Sequence, residues 1–180
     1  MKIGVFGGSF NPPHIGHLLV CQYTLSMYGL DEVLVIPAKE HPFNKPLLEF
    51  WQRYELCCIM CRPHDKLHVM NYDHKYTVDL LKYLIKWNPQ DSFHLIVGSD
   101  ILRDRDKWKD WDKIQDIVDI ITVYRKGYGE ECGEPPRFGE FVFPNINSTD
   151  IRRRLARGSD VDGLIPKKVL EYIKHNKLEF

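Results

Sequence analysis

Two histidines spaced three apart, His14 and His17, stand at the head of an apolar-periodic segment, behind the run Gly7-Gly8-Ser9-Phe10-Asn11-Pro12-Pro13. An apolar stretch, Ile3 to Phe6, comes before that run. A strand that ends in a glycine turn and delivers two imidazoles to a helix start is suited to holding phosphate. Glycines permit backbone conformations that a β-carbon blocks. The helix start adds unpaired N–H groups and a positive dipole end. At this spacing both rings share one side of the helix. They can donate to phosphoryl oxygens, and they can carry charge when a bound phosphate raises their pKa. Gly16, between them, lets a ligand come close to the backbone. A His-x-x-His pair alone would favour a solvated helix face, or metal binding. The glycine turn and strand ahead of it favour phosphate.

A second group of the same kind lies near the other end. Ser148 or Thr149 can cap a helix whose first N–H groups meet an anion, and Arg152, one turn later, brings a forked donor to it. Arg153 and Arg154 read as an ordinary solvated face.

These groups need elements to position them, and strand and helix signals alternate along the 180 residues. Strands are expected at Lys2–Phe6, Glu32–Ile36, Leu67–Tyr72, Ser92–Val97 and Asp119–Tyr124, with a short one at Glu140–Phe143. Helices are expected at His14–Tyr28, Leu47–Cys61, a segment capped by Thr77, Thr149–Arg157 and Pro166–His175. Alternation of this kind predicts an α/β fold, Rossmann-like and doubly wound, with a mainly parallel sheet and helices on both faces. Right-handed crossovers then gather the strand C-terminal ends along one edge, where ligands bind. The Gly7–His17 turn, the 37–45 loop, Gly98-Ser99-Asp100 and Arg125 all follow such ends. One domain over 1–180 is expected, with residues 149–180 completing the anion site.

Lys plus Arg and Asp plus Glu are each 25, so an anion site must be local, and nothing global calls for a nucleic-acid or membrane partner. No apolar run approaches membrane-spanning length, and nothing at the N-terminus reads as a targeting segment, so a cytoplasmic protein with reduced thiols is expected. Cys57, Cys58 and Cys61, with His64 and His68 nearby, raise the question of zinc. No second pair closes a structural site, so thiols buried in a core are the expectation.

The residues Gly7 to His17 resemble the signature of the nucleotidyltransferases that carry a His-x-Gly-His motif. Ile146-Asn147-Ser148-Thr149-Asp150-Ile151-Arg152 resembles the Ile-Ser-Ser-Thr-x-Ile-Arg motif of their nicotinate and nicotinamide mononucleotide adenylyltransferases. Gly98-Ser99-Asp100 resembles the family's Gly-x-Asp turn, and Val123-Tyr124-Arg125 its strand ending in arginine. Tyr76-Thr77-Val78-Asp79-Leu80-Leu81 resembles the Tyr-Thr-x-Asp-Thr-Leu segment, and Trp108, with Trp111 nearby, matches a tryptophan that stacks on the pyridine ring. Departures exist. His41-Pro42-Phe43-Asn44-Lys45 stands for a common Pro-Pro-His-Lys, Asn147 for a serine, and Leu80 for a second threonine.

The resemblance implies adenylyl transfer from ATP to a pyridine mononucleotide, in which the acceptor phosphate attacks the α-phosphorus and pyrophosphate leaves. It implies catalytic roles for His14 and His17 at the α- and β-phosphates, Lys45 at the attacking phosphate and Arg152 at the leaving group. Gly7, Gly8, Ser9, Phe10, Gly98, Asp100, Arg125, Asn147, Ser148 and Thr149 would line the substrate site, and Thr77 and Trp108 would meet the pyridine. Mg²⁺ would be held mainly by ATP phosphates, with no protein metal ligands. Partners are small molecules, and homo-oligomerisation is left open. Two other readings fit the first motif: another adenylyl- or cytidylyltransferase, with a phosphopantetheine or FMN acceptor, and a nucleotide sensor without turnover.

Overall fold

A computed structural model describes residues 1–39, 47–73, 76–101, 105–125 and 141–180. Five strands form one sheet: β1 (Lys2–Gly8), β2 (Glu32–Pro37), β3 (Leu67–Val69), β4 (Ser92–Gly98) and β5 (Asp119–Val123). The described helices are α1 (Ile15–Met27), α2 (Phe50–Cys61), α3 (Thr77–Trp87), α4 (Trp111–Ile117), α5 (Ser148–Ala156) and α6 (Lys167–His175). The order is β3-β2-β1-β4-β5 and every pairing is parallel. The chain therefore winds outward one way from β1, then restarts at β4 and winds the other way. The switch between β1 and β4 opens a crevice at the strand C-terminal ends.

The strands alternate their apolar residues between two cores, as period-two geometry requires. On β1, Phe6 packs on one face and Val5 on the other; on β4, Ile96 and Leu95 divide in the same way. The Phe6 face is covered by α1, α2, α5 and α6, through residues such as Val20, Leu56, Ile151 and Val169. The Val5 face is covered by α3 and α4, where Val78, Leu81 and Leu84 form a stripe beside Ile114. Cys21, Cys57 and Cys61 are free thiols inside the first core, and Cys58 is half-buried. Burial pushes the Cys61 thiol up to about 12 and raises Cys57 and Cys21 as well. These are packing residues, as expected.

Boundaries differ from the sequence expectations for local reasons. β3 stops at Val69, the last residue in register with β2, one residue before the Met70 amide makes the final bond to the Val35 carbonyl. The second helix begins at Phe50, after a Glu49/Gln52 capping box. Thr77 does not cap α3. Tyr76 occupies that position, without a side-chain hydrogen bond, and Thr77 is the first helical residue. Of the Glu140–Phe143 strand, the described part makes a single bridge, Phe143 to Arg125.

Candidate active site

The turn from β1 to α1 is shaped by Phe10 instead of by the glycines. Gly7 and Gly8 are still in β1, paired with Ile36 and Pro37, while Phe10 takes the left-handed conformation at φ 46°. Such a φ is uncommon for a bulky residue and is held by its surroundings. Phe10 is 1% exposed, with its ring edge-on to Phe6 at 5.6 Å and to His17 at 4.8 Å. Its side chain supports the site from the core.

His14 is the N-cap of α1, and it forms a reciprocal pair with His17. The His17 amide donates to His14 Nδ1 at 3.4 Å, and the His14 amide donates to His17 Nδ1 at 3.1 Å. The rings stack with centroids 3.6 Å apart. A β-carbon on Gly16 would lie 3.0 Å from the His14 ring, so this glycine makes room for the stack. With both Nδ1 atoms accepting, each neutral ring carries its proton on Nε2 and presents a donor there. Burial pushes the His14 pKa down to about 3, helped by the Arg125 guanidinium. His17 is also driven well below the usual imidazole range by burial, then by His14 and Arg125. In the free protein the pair is neutral, and any charge must come with a bound phosphate.

The other residues converge on the same edge. A β-carbon on Gly98 would collide with Asp100 Oδ1, so only glycine lets this carboxylate fold back over the end of β4. Asp100 lies 3.8 Å from Arg125 Nη1. Arg125 also donates its amide to the buried Ser99 hydroxyl at 3.1 Å and its Nη2 to the Ile146 carbonyl at 2.9 Å. That last bond ties β5 to the approach of α5.

At α5 the cap is Asn147, whose Oδ1 accepts from the Asp150 amide at 2.9 Å. The expected capping by Ser148 or Thr149 is thus corrected. Ser148 instead donates to the Pro12 carbonyl at 3.0 Å, and Thr149 Oγ1 accepts from Arg152 at 3.3 Å. Arg152 Nη1 donates to the Asn11 carbonyl at 2.8 Å. The first and second motifs, some 130 residues apart in sequence, are therefore bonded directly to each other.

Thr77 and Trp108 stand apart from the histidines, on the α3–α4 side. Lys109 Nζ lies 3.5 Å from Asp79 and 4.4 Å above the Tyr76 ring, which brings the Trp108 segment to the start of α3. Trp108 and Trp111 meet edge-on at 5.5 Å and help line an open cleft of about 590 Å³ with Arg105, Asp110 and Gln115. Lys45 lies outside the described residues.

Two residues that the sequence reading passed over are central. Asn11 is 2% exposed and accepts from the Leu48 amide at 3.1 Å while its carbonyl holds Arg152. Arg53 is 1% exposed and donates to four backbone carbonyls. Its signal was present: Arg53, Leu56, Cys57 and Met60 occupy the i, i+3, i+4, i+7 stripe of α2, with one charge among apolar residues.

Among the described residues no group of three or more His, Cys, Asp or Glu could hold a metal ion, and no helix is long and apolar enough to cross a membrane. Residues 5–154 match the family model described as cytidylyltransferase-like. A curated relative from Anaeromyxobacter dehalogenans, named a probable nicotinate-nucleotide adenylyltransferase, is 40% identical over 185 residues, covering 98% of this chain and 96% of the relative. One from Bacillus subtilis, named nicotinate-nucleotide adenylyltransferase, is 33% identical, covering 98% and 97%. Among solved structures, a Plasmodium falciparum nicotinic acid mononucleotide adenylyltransferase complexed with NaAD shares the fold at TM-score 0.81 and 21% identity, over 98% of this chain and 96% of that one. With both motifs assembled at one strand edge and relatives matched over nearly their full length, the chain belongs to the nicotinate-nucleotide adenylyltransferase family and is a nucleotidyltransferase.

Proposed function

We propose that this protein joins ATP to nicotinate mononucleotide, forming the pyridine dinucleotide and pyrophosphate on the route to NAD. The observation that carries the reading is the bonding of the two motifs across the β1–α1 turn, through Arg152 to Asn11 and Ser148 to Pro12. The acceptor phosphate oxygen attacks the α-phosphorus of ATP, and the bond to the pyrophosphate oxygen breaks. No side-chain nucleophile takes part, so rate comes from positioning and from stabilising charge as pyrophosphate leaves.

His14 and His17 would donate from Nε2 to the α- and β-phosphate oxygens. Those donors are set by the reciprocal cap before substrate arrives, so no reorganisation is needed at the moment of reaction. The first N–H groups of α5 and the Arg152 guanidinium would hold the leaving group. Asp100 and Gly98 would meet the adenosine side, and Arg125 would hold β5 and α5 at their spacing around it. Lys45 is proposed for the attacking phosphate. ATP would enter as its Mg²⁺ complex, with the metal on phosphate oxygens and water. Residues 149–180 would complete the ATP site within a single domain, in the cytoplasm.

Product analysis tests this. The protein is incubated with ATP, Mg²⁺ and, in separate reactions, nicotinate mononucleotide, nicotinamide mononucleotide, phosphopantetheine and FMN. Dinucleotide formed fastest with nicotinate mononucleotide is expected. Transfer to phosphopantetheine or FMN alone would contradict the proposal, as would ATP binding with no transfer to any acceptor.

A further inference from the structure

The β1–β2 ladder ends with the Ala38 amide donating to the Gly8 carbonyl at 2.8 Å. Beyond that point Arg53 takes the place of the ladder. Its Nη1 donates both to the Ser9 carbonyl at 2.8 Å and to the Ala38 carbonyl at 2.7 Å. Nη2 reaches the Lys39 carbonyl at 3.1 Å, and Nε reaches the Leu48 carbonyl at 2.9 Å. One planar group thereby bridges the exit of β1, the exit of β2 and the entry to α2. The guanidinium fork holds these directions rigidly, as a flexible ammonium cannot.

Arg53 is 1% exposed, and among the described residues its hydrogen-bond partners are these carbonyls. An apolar side chain of similar volume would extend the α2 stripe without bringing a charge into the core. What that side chain could not do is hold two strand exits at a set distance. The Ser9 end of this bridge runs directly into Phe10, Asn11 and the histidine pair. Asn11 repeats the link one step further on, by accepting from the Leu48 amide.

We propose that Arg53 is a positioning residue for adenylyl transfer: its guanidinium fixes the spacing between the chains leaving β1 and β2, and so governs turnover without touching either substrate. This rests on the adenylyl-transfer reading, in which the reacting atoms must meet within about 3.5 Å and a 1 Å misplacement can cost roughly 10²-fold. Histidine donors that are correctly made but displaced as a unit would still bind ATP, because the triphosphate is also held from α5. They would no longer aim the α-phosphorus at the acceptor.

The test compares Arg53→Lys and Arg53→Met with the wild-type protein. The measurements are thermal unfolding, ATP affinity by calorimetry, and kcat and KM for dinucleotide formation. Expected results are a kcat lowered about 10²-fold in Arg53→Met and about tenfold in Arg53→Lys, with ATP affinity within about threefold of wild type in both. Partial recovery in the lysine variant, together with loss confined to kcat, separates positioning from general destabilisation. A folded Arg53→Met protein with kcat within twofold of wild type overturns the proposal. A rise in KM at unchanged kcat also overturns it, and so does failure of both variants to fold, which would make Arg53 purely structural. An inactive wild-type protein contradicts the adenylyl-transfer reading itself. Normal wild-type activity beside an unaffected variant contradicts the Arg53 proposal alone.

Discussion

Around the histidine pair, buried and half-buried side chains are bonded to backbone. His14 and His17 cap each other, Arg152 and Ser148 hold the carbonyls of Asn11 and Pro12, and Arg53 holds that of Ser9 from α2. Around Trp108 the construction differs. Trp108 and Trp111 are half-buried against an open cleft, and Lys109 reaches Asp79 and Tyr76 from an exposed position. The first region has its donors oriented before a ligand arrives, which suits charge stabilisation in a transition state. The second offers aromatic surface that a planar ring can stack on, which suits recognition. Substitutions in the first should act on turnover, and substitutions in the second on acceptor affinity.

The largest expected effect belongs to His17→Ala. It removes one Nε2 donor and one half of the cap, and kcat should fall roughly 10²-fold or more while ATP affinity changes far less. Steady-state kinetics beside a binding isotherm would check this; an unchanged kcat would erase the distinction between the regions. Arg152→Lys comes next. A single ammonium cannot span Asn11 and Thr149 while also meeting phosphate, so kcat should drop about tenfold. Trp108→Ala sharpens the other side of the comparison. KM for the mononucleotide should rise about tenfold, with kcat near wild type, as loss of a stacking contact predicts. A fall in kcat with KM unchanged would instead move Trp108 into the reacting region.

The remaining effect is on stability and leaves turnover at neutral pH untouched. His14 titrates near 6.5 when unfolded and near 3 when folded, so between those values the unfolded chain binds more protons. Stability must then decline as pH falls from 6.5 toward 3, by up to about 1.4 kcal/mol per pH unit from this one group. His14→Asn keeps a capping side chain and removes the titration, so its unfolding midpoint should fall less steeply over that range. Equal slopes in variant and wild type would show that His14 is not held neutral.

The contrast also explains what was legible in the sequence. The five strands, their parallel arrangement and the convergence of Gly98–Asp100, Arg125 and Asn147–Arg152 on the histidines followed from apolar runs and from motif residues at strand ends. Those signals are local, or they depend on the regular handedness of crossovers. What escaped was the bonding between distant segments. Nothing near Asn147 in sequence says that it will cap α5 in place of Ser148, whose hydroxyl is drawn away to Pro12. Nothing near Gly7 says that Phe10 will take the left-handed turn, because the core that holds its ring is assembled from remote residues. Arg53 was the exception, a charge on an apolar stripe that could have been noticed.

If the paired histidines act on ATP during adenylyl transfer, removing one of them must slow the release of pyrophosphate. Pyrophosphate release from ATP and nicotinate mononucleotide with Mg²⁺, followed for wild type and His17→Ala in parallel, tests it most directly. Expected are steady release by the wild type that requires the mononucleotide, and at least a 10²-fold slower rate in the folded variant. Release at equal rates, or no release by the wild type, would contradict it.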